Sequence, residues 1–124
     1  VSHLAREALP PTLFQRPTIP MIDGRGTIWR PYDDLTSLWD YTLGEQITST
    51  YNFSAAVEVG IKEFAPDRLI ILGPGSTLGP PVAQALIEHE WRGIDSKARF
   101  SRTQSDDPFV LAMGIDEQRR RVMR

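Results

Sequence analysis

The five residues Gly73-Pro74-Gly75-Ser76-Thr77 follow the apolar run Leu69–Leu72 and lead into a helix-like segment, which makes this turn the first place to look for chemistry. Backbone amides at such a helix start can cradle a phosphate. That chemistry is poorly served here: no Gly-Lys-Ser/Thr ending is present, and Pro74 has no amide hydrogen. Leu78 stands where Gly-x-Gly-x-x-Gly needs its third glycine, with Gly79 one residue too late. A serine nucleophile on a strained elbow would need Gly-x-Ser-x-Gly, which is absent, and Ser76 reads as the cap of the following helix. His3 and His89 have the right side chain for a general base, but His89 lies between Glu88 and Glu90 at a helix end, which suits a surface role. The Asp33-Asp34 and Asp106-Asp107 pairs lack an accompanying histidine pattern, so they read as solvated carboxylates rather than metal ligands. With no cysteine in the chain, thiol nucleophiles, disulfides and zinc–thiolate sites are excluded. The three tryptophans are too far apart to form a stacking platform and read as core or lid residues.

The elements that must position these groups follow from apolar spacing and turn chemistry. Val1, Leu4, Ala5, Ala8 and Leu9 have helical spacing, ended by Pro10-Pro11. Residues 17–24, with Pro17 and Pro20, suit an edge or site-proximal strand, followed by a loop with a short hairpin around Thr27-Ile28-Trp29. Asp33 or Asp34 caps a helix carrying Leu35, Leu38, Trp39 and Leu43, with Gly44 as its stop. A second helix starts near Asn52 or Ser54 and ends before Pro66. The run Leu69–Leu72 suits a strand buried on both faces, as in a parallel sheet covered by helices, and the loop at its carboxyl end is where such sheets hold ligands. Pro80-Pro81 fits the first turn of a helix reaching about Trp91. Beyond it only residues 108–115 are clearly apolar, as a late strand or a packing arm.

The chain has 124 residues, 40% of them hydrophobic, which is enough for one modest core. No apolar run approaches the ~20 residues of a bilayer span, and the start lacks a signal-peptide pattern, so a soluble cytoplasmic protein is expected. The net charge of −2 is unevenly spread: residues 1–90 hold 6 basic and 11 acidic side chains, residues 91–124 hold 8 and 5. The cluster Arg119-Arg120-Arg121 with Arg124 reads as a solvated terminal run more readily than as a nucleic-acid contact. Val1 opens the chain inside a helix-like phrase, which suggests a piece of a longer protein.

Taken in order, Phe14-x-x-Pro17-Thr18-Ile19-Pro20, Gln46-Ile47-Thr48-Ser49, Phe53-x-x-Ala56-Val57 and Leu69-Ile70-Ile71-Leu72-Gly73-Pro74-Gly75-x-x-Leu78 form a series. It resembles the carboxyl-terminal portion of malonyl-CoA:acyl carrier protein transacylases and the acyltransferase domains of fatty acid and polyketide synthases. The resemblance covers Val1 to about Glu90 and implies an α/β fold, the closing portion of a hydrolase-like, mainly parallel three-layer subdomain. On that reading residues 1–91 belong to the acyltransferase and residues 92–124 form a tail.

The resemblance also implies an activity: transfer of a malonyl or related acyl group from coenzyme A, through a serine ester, to an acyl carrier protein. No cofactor is held; a coenzyme A thioester is the substrate. The serine and the histidine base would come from an upstream segment of the same protein, and His3 is not that histidine. Gln46 matches a family residue whose backbone carbonyl accepts from the catalytic histidine and sets its tautomer, or it simply ends a helix. Gly73, Pro74 and Gly75 match the family's cleft-side turn and would bind substrate, or they reflect close packing. The chain departs from the family at Ile71, where glutamate is usual, and at Thr50, often proline, so a polar anchor in the cleft is missing. The acyl group is not encoded here. The alternative reading is a non-catalytic α/β module that docks a carrier protein or other partner through its basic tail, and a third is a small nucleotide-binding domain. No membrane or nucleic-acid partner is expected.

Overall fold

The structure is a computed structural model that describes residues 1–123. Helices and two small sheets make up two compact units, residues 1–56 and 57–124.

In the first unit, α1 (Ser2–Ala8) stops where Pro10 and Pro11 cannot continue it, and a 3-10 turn over Pro11–Leu13 follows. The expected strand is only two residues long: β1 (Met21–Ile22) pairs antiparallel with β2 (Ile28–Trp29), and the connecting turn carries Gly26 at φ +82°. Helix α2 (Leu35–Leu43) begins where Asp34 accepts from the Ser37 amide and hydroxyl, which gives the orphan amide of the first turn a partner. Gly44 ends α2 and at once starts a one-turn helix, α3 (Glu45–Thr48). The core is Trp29, Leu38 and Tyr41, with Phe14 and Leu35 packed against them.

Helix α4 (Phe53–Phe64), whose Asn52 side chain accepts from the Ala55 amide, leads into the second unit. There β3 (Leu69–Ile71) is followed by the glycine-rich turn and by α5 (Gly79–Glu88), with Pro80 and Pro81 in the first turn, where a missing N–H costs nothing. The segment after Trp91 is ordered: α6 (Lys97–Asp106), β4 (Val110–Ala112) and α7 (Asp116–Val122). Strand β4 pairs parallel with β3, Leu69 opposite Val110 and Ile71 opposite Ala112. A parallel pair needs a long crossover, supplied here by α5 and α6. Leu86 is completely buried, and Phe109 meets both Trp91 and Phe100 at ring distances of 5.4 and 5.3 Å.

β4 is closed on its far side by side chains. The Gln104 carboxamide of α6 donates to the Val110 carbonyl and accepts from the amides of Phe109 and Val110, and Gln118 of α7 accepts from the Ala112 amide. The expectation that β3 is buried on both faces is corrected: Ile71 is buried, but Ile70 is 48% and Leu72 80% exposed. Leu111 of β4, beside Ile70 in the register, is buried, so the cover over that face of the sheet stops short of β3.

The turn after β3 is held by a close backbone approach. A Cβ added at Gly114 would lie 2.7 Å from the Gly75 carbonyl oxygen, whereas one added at Gly79 would meet nothing within 4 Å. Gly114→Ala should therefore lower stability by about 1–3 kcal/mol, the usual cost of forcing a methyl into a filled space, while Gly79→Ala should be neutral or slightly stabilising; urea unfolding of the two variants checks the contrast.

Candidate functional site

The first unit holds one strongly constrained polar centre. Asp23 lies at the end of β1 with its side chain 3% exposed, so its charge must be met from within the protein. One carboxylate oxygen accepts from the amides of Arg25 and Thr27 (2.8 and 3.0 Å). The other accepts from Arg25 Nε and Nη2 (3.1 and 2.7 Å) and from Trp29 Nε1 (3.1 Å). Burial by itself would raise this pKa, but the bonds from Arg25, Thr27 and Trp29 outweigh it and hold the carboxyl below its ordinary value. Arg25 also pairs with Glu45 at 2.7 Å and lies 4.2 Å above the Tyr41 ring. The Tyr41 hydroxyl in turn accepts from the Gly24 amide at 2.9 Å.

Beside this centre is a cavity of about 390 Å³ lined by Phe14, Met21, Trp29, Tyr41, Gln46 and Tyr51, among others. Burial, together with the nearby Tyr41 and Asp23, pushes the Tyr51 phenol above its usual pKa. Gln46 does not end α2; it sits in the first turn of α3 and borders this cavity. Among the described residues no donor reaches its backbone carbonyl oxygen.

In the second unit Gly73, Pro74 and Gly75 form the turn that leaves β3, with Gly73 at φ +96° and Gly75 at φ +76°, conformations that disfavour any side chain. Pro74 and Gly75 are exposed. Beyond the turn, a second cavity of about 490 Å³ is lined by Ile71, Ser76, Pro80, Ile87 and Phe100, among others. The first turn of α5 has little to offer a phosphate, because Pro80 and Pro81 have no N–H and the amides of Gly79 and Val82 donate to Ser76 and Leu78.

The other titratable candidates serve structure. His3 is exposed and pairs with Glu7 within α1. His89 faces Glu58 of α4 at 3.6 Å. Asp33 accepts from the Arg30 amide, Asp34 caps α2 and Asp107 meets Arg68. Among the described residues no group of three or more acidic or histidine side chains could hold a metal, and no helix is long and apolar enough to cross a membrane. The sequence reading overlooked Asp23 and Tyr41. The signal available for Asp23 was Asp23-Gly24-Arg25-Gly26-Thr27, an acidic residue opening a glycine-rich hairpin turn. No protein-family model, curated protein or solved structure matches the chain.

A carboxyl whose folded pKa lies below its unfolded value adds stability above the unfolded pKa and loses it as pH falls through the folded one. Urea unfolding followed by Trp fluorescence should therefore show the first unit weakening as pH drops below about 4, the ordinary carboxyl range. Asp23→Asn should weaken that dependence and cost about 1–3 kcal/mol at pH 7, because the carboxamide NH2 would face N–H donors where a carboxylate oxygen now accepts.

Proposed function

We propose that this chain is part of an acyltransferase that moves a malonyl or related acyl group from coenzyme A to an acyl carrier protein through a serine ester. The nucleophile and the histidine base would be supplied by polypeptide preceding Val1. The observation that carries this reading is the strand–Gly73-Pro74-Gly75–helix passage at the carboxyl end of a parallel strand pair, the place where open α/β sheets bind ligands. The resemblance requires such a passage at these residues. The parallel pairing of β3 with β4 suits a parallel sheet, whereas the exposed face of β3 lends no support to the finer expectation of a hydrolase-like, three-layer subdomain.

Gln46 supports the same reading from the first unit. Its free carbonyl oxygen is available to accept from an imidazole N–H, which would hold the base in the tautomer that takes a proton from serine. The bare turn over Gly73–Gly75 would let a thioester approach the backbone closely, as side chains there would not. A basic docking tail gains less support: Arg119 pairs with Asp116, and Arg121 lies near Glu117, within α7 itself.

The gene product containing this chain, incubated with radiolabelled malonyl-CoA, should retain label as an ester on serine and pass it to holo acyl carrier protein. If neither protein gains label, with malonyl or with other acyl groups, the acyltransferase reading fails and the docking module takes its place. Gly75→Val, strained at positive φ by about 1–3 kcal/mol, should slow transfer by about tenfold or more with the chain still folded by circular dichroism.

A further inference from the structure

We propose that Asp23-Gly24 is a latent isoaspartate site, a place where the chain can modify its own backbone, and that the packing of the first unit keeps it closed. This inference stands apart from the acyltransferase reading and needs no residue outside the first unit. Asp23-Gly24 is the only Asp-Gly pair in the sequence. In such a pair the glycine nitrogen can attack the aspartyl side chain, because no Cβ shields it and the glycine backbone turns freely. The Gly24 nitrogen forms a bond to Cγ of the neutral acid and gives up its hydrogen as Cγ loses its hydroxyl, so one water leaves and a succinimide ring closes. Water then opens the ring. Opening at Cγ restores aspartate, whereas opening at the backbone carbonyl leaves the chain running through the side-chain carboxyl as isoaspartate. The atoms of the chain are unchanged in number, and no oxidant or cofactor takes part.

In the folded protein each group that must move for the ring to close is occupied. The Gly24 amide donates to the Tyr41 hydroxyl at 2.9 Å. The Asp23 carboxylate is held by two turn amides, the Arg25 guanidinium and the Trp29 indole. The backbone around the pair is pinned as well: the Asp23 amide donates to the Thr27 carbonyl, the Asp23 carbonyl accepts from the Gly26 amide and the Gly24 carbonyl accepts from the Asn52 amide. The Tyr51 ring covers Gly24 so closely that an added Cβ would lie 2.5 Å from it. Burial opposes ionisation of Asp23, yet its hydrogen bonds keep the carboxyl below the ordinary pKa, while ring closure consumes the neutral acid. Asp95-Ser96 offers the contrast: the Asp95 side chain is 57% exposed and meets only the Ser96 hydroxyl and, at 3.7 Å, Arg99. Isoaspartate at position 23 would lengthen the main chain by one methylene and take the carboxylate from the point where its donors converge. A chain modified while open therefore cannot rebuild this centre.

The full chain is aged at one neutral pH and one temperature, in buffer and in concentrated guanidinium chloride. Isoaspartate is located by peptide mapping with electron-transfer fragmentation, which separates the two isomers of equal mass. In guanidinium chloride Asp23 should convert faster than Asp95, as its glycine neighbour dictates. In buffer Asp23 should slow by at least about tenfold, because attack then requires breaking charge-assisted hydrogen bonds, and by a larger factor than Asp95. Tyr41→Phe, which frees the Gly24 amide, should raise the rate at Asp23 in buffer and leave Asp95 unchanged, with circular dichroism confirming the fold. If that variant does not fold, the comparison of the unaltered chain in the two solvents decides. Isoaspartyl chains returned to buffer should lack the native Trp29 indole signal in NMR that unmodified chains regain. A smaller slowing at Asp23 than at Asp95, a rate at Asp23 in buffer within tenfold of that in guanidinium chloride, no excess over Asp95 in guanidinium chloride, an unchanged rate in folded Tyr41→Phe, or recovery of the Trp29 signal by isoaspartyl chains overturns the proposal. None of these results bears on acyl transfer, which is read by covalent label.

Discussion

A carboxylate with almost no access to water is the constraint around which the first unit is built. Asp23 can stay ionised only because two turn amides, an indole and the guanidinium of Arg25 converge on it. Meeting that requirement folds the hairpin tightly between β1 and β2 and brings Trp29 into the core. Arg25, once drawn in, spans to Glu45 and covers Tyr41, so one buried charge ties the hairpin to α2 and α3. The cavity beside it is a by-product of that convergence: the aromatic rings are fixed by their polar ends, and their apolar faces are left lining open space.

The second unit is organised by backbone economy rather than by charge. The backbone of Gly75, in the turn after β3, packs against Gly114 so closely that a methyl would not fit between them. A short parallel pair leaves amides and carbonyls exposed on its flanks, and two glutamines close one flank by standing in for a neighbouring strand. Gln104 does this with both ends of its carboxamide, a role no periodicity rule assigns to a polar residue in a helix that is otherwise hydrophilic.

Much of the fold was legible along the chain. Helices α1, α2, α4 and α5 lie where apolar spacing, Asp34, Gly44 and the Pro80-Pro81 pair put them, because each signal acts within a turn or two of its own residue. The hairpin at Trp29 was also visible, and the apolar run after Pro108, open between a strand and a packing arm, is a strand. Helix α6 was not: its residues are mostly polar, and it is held by the Ser96 cap and by Phe100 and Gln104 meeting β4, contacts between distant parts of the sequence. Strand β3 was placed correctly but its burial was overestimated, since an apolar run of four does not record whether other elements pack over both of its faces.

For the candidate site, residue types alone determined what the chain cannot do with its own groups: no thiol chemistry, no Gly-x-Ser-x-Gly elbow and no phosphate loop of standard spacing. They also located the bare turn at Gly73–Gly75, because glycine and proline act locally on the backbone. Only the tertiary structure decided that Asp23 is buried, that the Tyr41 hydroxyl accepts from the Gly24 amide, and that Gln46 lies in the first turn of a helix with its carbonyl free. Those properties depend on which side chains, far apart in the chain, exclude water from the same place, and a linear pattern does not record that.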